Sequence, residues 1–354
     1  MELTQQNKEV MQQKLLAWYD QNKRDLPWRK TKNPYYIWVS EIMLQQTRVE
    51  AVKDYYKRFI TALPTINDLA KAEQDQLYKL WQGLGYYNRV KNIQQAANTI
   101  LEEFAGEFPT TKQQLQNLKG IGDYTSSAIA SIAFEEPVAV VDGNVLRVLA
   151  RLFEIQEDIT KQSTKSNVSL LAQQLLSKQR PGDFNQAMME LGATVCVPNG
   201  VPSCEKCPFQ EFCLANKHAT ELQLPIKKAK KQRKIQYKTI LTIQIENEFL
   251  LHKRTEEKLL AGLWEFVNLE GALSSQKTKE HLSNLGFEVK SISKLAHAKH
   301  IFTHIEWHMI GYHVVVLNKP TLGNDYHYVT KEQLIQTYAV PNAFSTYLKE
   351  LKNF

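Results

Sequence analysis

The ten residues PIKKAKKQRK, starting at Pro225, carry six basic side chains and no acid, and the hydrophobic pattern changes period across them. Upstream, apolar residues recur at three- and four-residue spacing in VMQQKLLAWYDQ, YIWVSEIMLQQTRVEAV, DQLYKLWQGL and VKNIQQAANTILEEF, which predicts helices. Downstream, the β-prone runs YKTILTIQI, FLLHKR, LWEFV and WHMIGYHVVVL predict strands. They are interrupted by a helical QKTKEHLSNLGF and closed by KEQLIQTY and FSTYLKELKN. A helix and a strand bury different residues of one string, so the two halves cannot share one fold class. The expectation is an all-α region over 1–216, a basic linker over 217–234 and an α+β domain over 235–354. A chain of 354 residues is too long for one ordinary core, which agrees with two domains.

With 43% apolar and 23% charged residues the chain should fold rather than remain disordered. Its start, MELTQQNKEV, has neither a basic nor an apolar targeting region, and no run of about eighteen apolar residues follows. The expectation is a cytoplasmic protein with no membrane partner. A net charge of +7 is compatible with a polyanionic partner but does not identify one.

Three stretches carry candidate chemistry. LQNLKGIGDYTSSAIASIAF is expected to end a helix at Leu118, turn on Gly120 and Gly122, and open a second helix at Thr125. Two glycines allow close backbone approach, and free amides at the second helix start suit a phosphate. An ordinary helix corner would look the same. VAVVDGNVLRVLARL delivers Asp142 just before a helix, where an N-cap is the plainest reading. All four cysteines lie in CVPNGVPSCEKCPFQEFC, with spacing C-x7-C-x2-C-x5-C. Disulfides are disfavoured without a secretory signal, and zinc sites more often use two C-x2-C knuckles where this loop has one.

Taken in order, the hairpin, VDGNVLRV and the four-cysteine loop resemble the helix-hairpin-helix DNA glycosylases of the endonuclease III superfamily. DLPWR (25–29), WVSEIMLQQTRV (38–49) and GLGYYNRVKN (83–92) resemble its bacterial adenine-specific branch, and the likeness runs through nearly all of 15–216. The resemblance implies a helical glycosylase core with a [4Fe-4S] cluster on Cys196, Cys204, Cys207 and Cys213, although the family spacing is C-x6-C-x2-C-x5-C. Family members also carry basic residues between the first two cysteines. VPNGVPS has none, and Lys206 is the nearby candidate for that contact.

The activity implied is base excision repair: hydrolytic release of adenine paired with 8-oxoguanine or guanine in double-stranded DNA, by a protein expected to act as a monomer near the nucleoid. Glu41, in an otherwise apolar helix stretch, matches the acid that protonates adenine. Asp142 matches the residue that stabilises the cationic sugar, and Tyr124 and Asn144 match residues that position them. Bifunctional relatives place a lysine nucleophile where Tyr124 stands, so a monofunctional enzyme is implied. Gln46 and Tyr86 match residues that fill the stack vacated by a flipped nucleotide. Arg24, Trp28, Arg29, Leu44 and Gln186 match positions at the adenine pocket, although core packing alone would explain Trp28, Leu44 and Tyr86.

GLWEFVNLEGALSSQKTKEHLSNLGF resembles the opening of a Nudix fold without the acidic helix that holds Mg²⁺, which disfavours nucleotide hydrolysis. In the adenine-specific branch this domain reads 8-oxoguanine through a Phe-Ser-His loop, matched here by Phe302, Thr303 and His304. Three other readings account for fewer of these residues. A pyrimidine-damage glycosylase like endonuclease III is disfavoured. HIE (304–306) and PSCEKC (202–207) echo a zinc deaminase, but in the wrong order and in different domains. A noncatalytic DNA-binding scaffold would not need Glu41 together with Asp142.

Overall fold

The computed structural model describes residues 4–228, 232–254 and 259–351. Residues 229–231 of the expected linker lie outside the described residues, as do the extreme ends of the two expected domains. The chain forms two compact units, residues 1–71 with 91–229 and residues 72–90 with 230–354. The short stretch 72–90 therefore groups with C-terminal residues that follow it by more than a hundred positions, and the sequence pattern gave no sign of this.

The helices, in chain order, are α1 (Gln5–Asn22), α2 (Pro34–Leu44), α3 (Val49–Ala62), α4 (Ile66–Lys71), α5 (Gln74–Trp81), α6 (Asn88–Glu103), α7 (Lys112–Leu115) and α8 (Asp123–Ala133). They continue with α9 (Gly143–Leu152), α10 (Gln162–Leu175), α11 (Pro181–Thr194) and α12 (Leu214–His218). In α1 the Thr4 hydroxyl caps the Asn7 amide, and Met11, Leu15 and Tyr19, four apart, form the buried stripe. That stripe packs in one core with Val145, Val148 and Leu149 of α9 and Phe184, Met188 and Leu191 of α11. Phe209, 1% exposed, anchors the cysteine loop in the same core.

α11 approaches its neighbours closely because of two glycines. A Cβ on Gly182 would lie 2.6 Å from the Ser131 carbonyl oxygen, and one on Gly192 would lie 2.6 Å from Asn144 Cβ. The hairpin differs slightly from expectation. α7 ends at Leu115 and continues as a turn through Leu118, and α8 opens at Asp123 with Gly122 as N-cap. The Gly122 carbonyl already accepts from the Ser126 amide at 2.9 Å, which places Tyr124 in the first turn. Gly120 takes φ +78° against Asn92, whose Cβ is 2.7 Å from where a Cβ would stand.

In the second unit β1 (Lys234–Ile245), β2 (Glu248–Lys253), β3 (Trp264–Glu265), β4 (Val267–Glu270), β5 (Val289–Ile301), β6 (Ile305–Val316) and β7 (Tyr326–Thr330) form one sheet. β1 pairs in parallel with β6, from Lys234 opposite Ile305 to Gln244 opposite Val315, and β6 pairs antiparallel with β5. The period of two divides the sheet into two faces. Leu241, Ile243, Tyr312 and Val314 pack with Leu282 of α13 (Ser275–Asn284), and Ile240, Trp307 and Met309 pack with Leu334 of α14 (Lys331–Gln336) and Tyr347 of α15 (Ser345–Glu350). β5 and β7 are additions to the strands expected from sequence. α13, SQKTKEHLSN, carries Glu280 as its single acid.

Candidate active site

α2 starts from Asn33 as N-cap with Pro34 in the first turn, and is buried on almost every side from Tyr35 to Met43. A helix that is apolar all round lies inside the fold, so it carries Glu41 inward with it. Glu41 is 5% exposed, and the Tyr124 hydroxyl donates to its Oε2 at 2.5 Å. Burial pushes the Glu41 carboxyl up to about 7; the Tyr124 hydrogen bond opposes this, the Asp142 charge adds to it and the Arg29 charge opposes it. Burial, with the charges of Glu41 and Asp142, also lifts the Tyr124 phenol well above its ordinary range, which keeps it a hydrogen-bond donor.

Asp142 is the N-cap of α9. Its Oδ1 accepts from the amides of Asn144 and Val145, both at 2.8 Å, and its Oδ2 accepts from Asn144 Nδ2 at 2.7 Å. Asp142 is thus the helix N-cap that its place before α9 leads one to expect. Burial raises the Asp142 carboxyl, while the Val145 and Asn144 donors and the Arg147 charge pull it back. Arg147 fixes the Asn144 amide by donating to its Oδ1 at 2.8 Å, and also reaches the Gly192 carbonyl at 2.6 Å and the Cys196 carbonyl at 2.8 Å. Two carboxyls thus sit in unlike settings. Glu41 rests against a phenol in an apolar helix, and Asp142 is held by three N–H donors.

Arg24 and Arg29 converge on a residue that sequence reasoning missed. Glu190 of α11, 0% exposed, accepts from Arg24 Nε at 2.6 Å and Nη2 at 2.9 Å, and from Arg29 Nη2 at 2.7 Å. Burial would raise the Glu190 carboxyl, but the two arginines outweigh it and hold it below its usual value. Gln186 lies four residues earlier on the same helix, half-buried, and this i,i+4 spacing was the one available signal for Glu190. Trp28 is buried edge-on against Tyr56, with ring centroids 5.4 Å apart. Leu44 is half-buried at the end of α2, and the exposed Gln46 just beyond it has φ +60°, a left-handed backbone unusual for a non-glycine residue.

Cys196, Cys204, Cys207 and Cys213 line one cavity together with Arg151, which donates to Cys196 Sγ at 3.2 Å. Among the described residues, no three His, Cys, Asp or Glu side chains are grouped closely enough to hold a single metal ion. The four thiols line one cavity, and a set of four cysteine donors is one that an iron–sulfur cluster can use. Burial pushes Cys204 up to about 11 and Cys207 up to about 12, with negative charge on other cysteines adding to it. Thiolates would form there only with a cationic centre beside them.

In the second unit, Phe302, Thr303 and His304 form the tip between β5 and β6, closed by the Phe302 amide donating to the Ile305 carbonyl at 2.8 Å. Phe302 packs on Trp307 at 4.9 Å, and Thr303 and His304 are exposed. The Thr303 hydroxyl hydrogen-bonds the Tyr86 hydroxyl at 3.0 Å.

Two families match the chain: HhH-GPD superfamily base excision DNA repair protein over residues 39–174, and NUDIX domain over residues 239–350. The chain is 37% identical over 350 residues to the adenine DNA glycosylase of Rattus norvegicus, covering 82% of this chain and 68% of that one. It is 35% identical over 303 residues to the adenine DNA glycosylase of Buchnera aphidicola subsp. Schizaphis graminum, covering 85% and 86%. A solved thermostable thymine-DNA glycosylase is similar at 28% identity with a TM-score of 0.55, over 61% of this chain and 100% of that one. A helical core built on the glycine hairpin, the Glu41 and Asp142 pair, and these likenesses agree, and the chain belongs to the adenine DNA glycosylase family, with a helix-hairpin-helix glycosylase core and a C-terminal Nudix domain.

Proposed function

We propose that the protein releases adenine paired with 8-oxoguanine or guanine in duplex DNA by hydrolysis of its N-glycosidic bond, as a monofunctional enzyme of base excision repair. The observation that carries this reading is the Tyr124 to Glu41 hydrogen bond together with the N-capped Asp142, two carboxyls in unlike settings, one against a phenol and the other held by three N–H donors. Adenine is a poor leaving group. The protonated Glu41 gives its proton to the flipped base as the bond from C1′ breaks and the electron pair goes to adenine. Asp142 then faces the positive sugar, and water adds to C1′ while its proton passes to the Glu41 carboxylate. Asn144 and Arg147 hold Asp142 in place, and Tyr124 holds Glu41. A phenol forms no Schiff base, so the product is an intact strand with an abasic site.

Duplex binding falls to the hairpin, where the free amides that open α8 after Gly120 and Gly122 suit a backbone phosphate. Gln46 and Tyr86 would occupy the vacated stack. Trp28, Leu44, Gln186, Arg24 and Arg29 would border the base, the two arginines aligned by Glu190. Cys196, Cys204, Cys207 and Cys213 would hold a [4Fe-4S] cluster, which ties the loop to the core that Phe209 enters. Phe302, Thr303 and His304 would read the damaged partner base, whose hydrogen-bonding edge differs from that of guanine. Nucleotide hydrolysis by the Nudix domain finds no support in α13, where Glu280 stands without a second acid. Among the described residues no helix is long and apolar enough to cross a membrane, and the working place proposed is with chromosomal DNA.

The test is incubation of the purified protein with an 8-oxoguanine:adenine duplex. Free adenine should appear together with a strand that breaks only after alkali. Absence of adenine release would sink the proposal, and breakage without alkali in step with base release would sink the monofunctional part of it.

A further inference from the structure

Residues 72–90 precede the C-terminal domain in sequence by more than a hundred residues, yet they fold with it. The connection is specific. Lys79 Nζ donates to the carbonyls of Ile335 and Tyr338, Gln82 Nε2 donates to the Val340 carbonyl at 2.8 Å, and Asn342 Nδ2 donates to the Gly83 carbonyl at 3.1 Å. These bonds grip α5 and the turn after it. In that turn Gly83 has φ +107°, Gly85 φ +71° and Tyr86 φ +49°. A tyrosine in the left-handed region persists only where its surroundings impose it. Trp81 Nε1 and Arg89 Nη2 both donate to the Gly85 carbonyl at 3.1 Å, which closes the turn from inside. The outcome is a half-exposed Tyr86 ring, 49% accessible, whose hydroxyl meets Thr303 at 3.0 Å.

We infer that the chain from Ile335 to Asn342 is a clamp that presents Tyr86 to DNA, with Gln82 and Asn342 as its positioning residues. The C-terminal unit thereby takes part in base extrusion as well as in reading the partner base. This rests on the reading of Tyr86 as a stack-filling residue. Three of the four carbonyls gripped belong to the C-terminal stretch and the fourth to Gly83, so the clamp fixes backbone on both sides. Loss of its side-chain donors would let the turn relax toward ordinary backbone angles and withdraw the ring.

The experiment uses full-length protein with an 8-oxoguanine:adenine duplex carrying 2-aminopurine beside the target adenine, so that fluorescence reports unstacking and a single-turnover assay reports adenine release. Three proteins are compared with wild type: Tyr86→Ala, Gln82→Ala with Asn342→Ala, and the triple variant. Tyr86→Ala and the clamp pair should each slow unstacking about tenfold, and the triple variant should be no slower than Tyr86→Ala alone. If the clamp pair is normal, or if its effect multiplies with that of Tyr86→Ala, the clamp does not act through Tyr86 and the inference falls. If Tyr86→Ala itself unstacks normally, the reading of Tyr86 falls first and leaves the clamp nothing to present. Gln82→Ala alone, which keeps the Asn342 bond, serves if the pair does not fold, and must show the same dependence on Tyr86.

Discussion

The carboxylate site of the first unit and the loop tip of the second differ in how each is held. Glu41 is buried and Asp142 half-buried, with each polar atom of the Asp142 carboxylate engaged by a donor and Glu41 set against one phenol. Thr303 and His304 stand exposed at a strand turn, and the Thr303 hydroxyl bonds that of Tyr86. Enclosure raises electrostatic effects and fixes proton affinities, which suits bond breaking. An exposed tip can exchange its partner for a base edge, which suits reading. Damage to the first region should therefore remove rate, and damage to the second should remove discrimination.

The largest effect is expected from Asp142→Asn, which keeps shape and the cap but removes the charge. Single-turnover adenine release should fall by about 10³-fold while duplex binding holds, and a rate within a few-fold of wild type would take Asp142 out of the chemistry. Glu190→Gln comes next. It leaves Arg24 and Arg29 with a neutral partner in a buried place, and should cost about 3 kcal/mol of stability in denaturant titration. An unchanged midpoint would mean that water already supports the arginines.

Smaller again is the double change of Thr303→Ala with His304→Ala. The preference for 8-oxoguanine:adenine over guanine:adenine should shrink by about 1–3 kcal/mol, the scale of direct base readout, with less loss of rate on the preferred substrate. Equal loss on both substrates would erase the contrast between the two regions. Truncation before β1 would be a less clean test, because it also removes the partners of Lys79 and Gln82.

The smallest effect expected is a shift in pH profile. If Glu41 is the proton donor, as proposed, its carboxyl, pushed up to about 7 by burial, should make adenine release fall as pH rises through about 7. The Tyr124 hydrogen bond lowers that value, so Tyr124→Phe should move the fall to higher pH. A move to lower pH would show that the phenol does not stabilise the ionised form.

The helical half and most of the sheet could be read from period alone, and Asp142 from the turn chemistry before α9. β5 could not: its exposed positions carry Lys290, Lys294, Lys299 and other polar residues, since an edge strand needs charge to avoid further pairing, and two bulges break its alternation. Glu41 was visible as an acid in an apolar run, but its link to Tyr124 spans 83 positions and no local pattern encodes that. Glu190 was hidden for the same reason, with partners 161 and 166 residues away. The grouping of 72–90 with the C-terminal unit includes side-chain bonds to the carbonyls of Ile335, Tyr338 and Val340, and a carbonyl acceptor leaves no trace in residue identity.

The most direct measurement is single-turnover adenine release from an 8-oxoguanine:adenine duplex by wild type and Glu41→Gln, with duplex affinity determined in parallel. The variant should bind as wild type does and release almost no adenine, because it has the shape of the acid without a transferable proton. Near-wild-type release by Glu41→Gln would contradict the assignment of the chemistry to the Glu41 and Asp142 carboxyls.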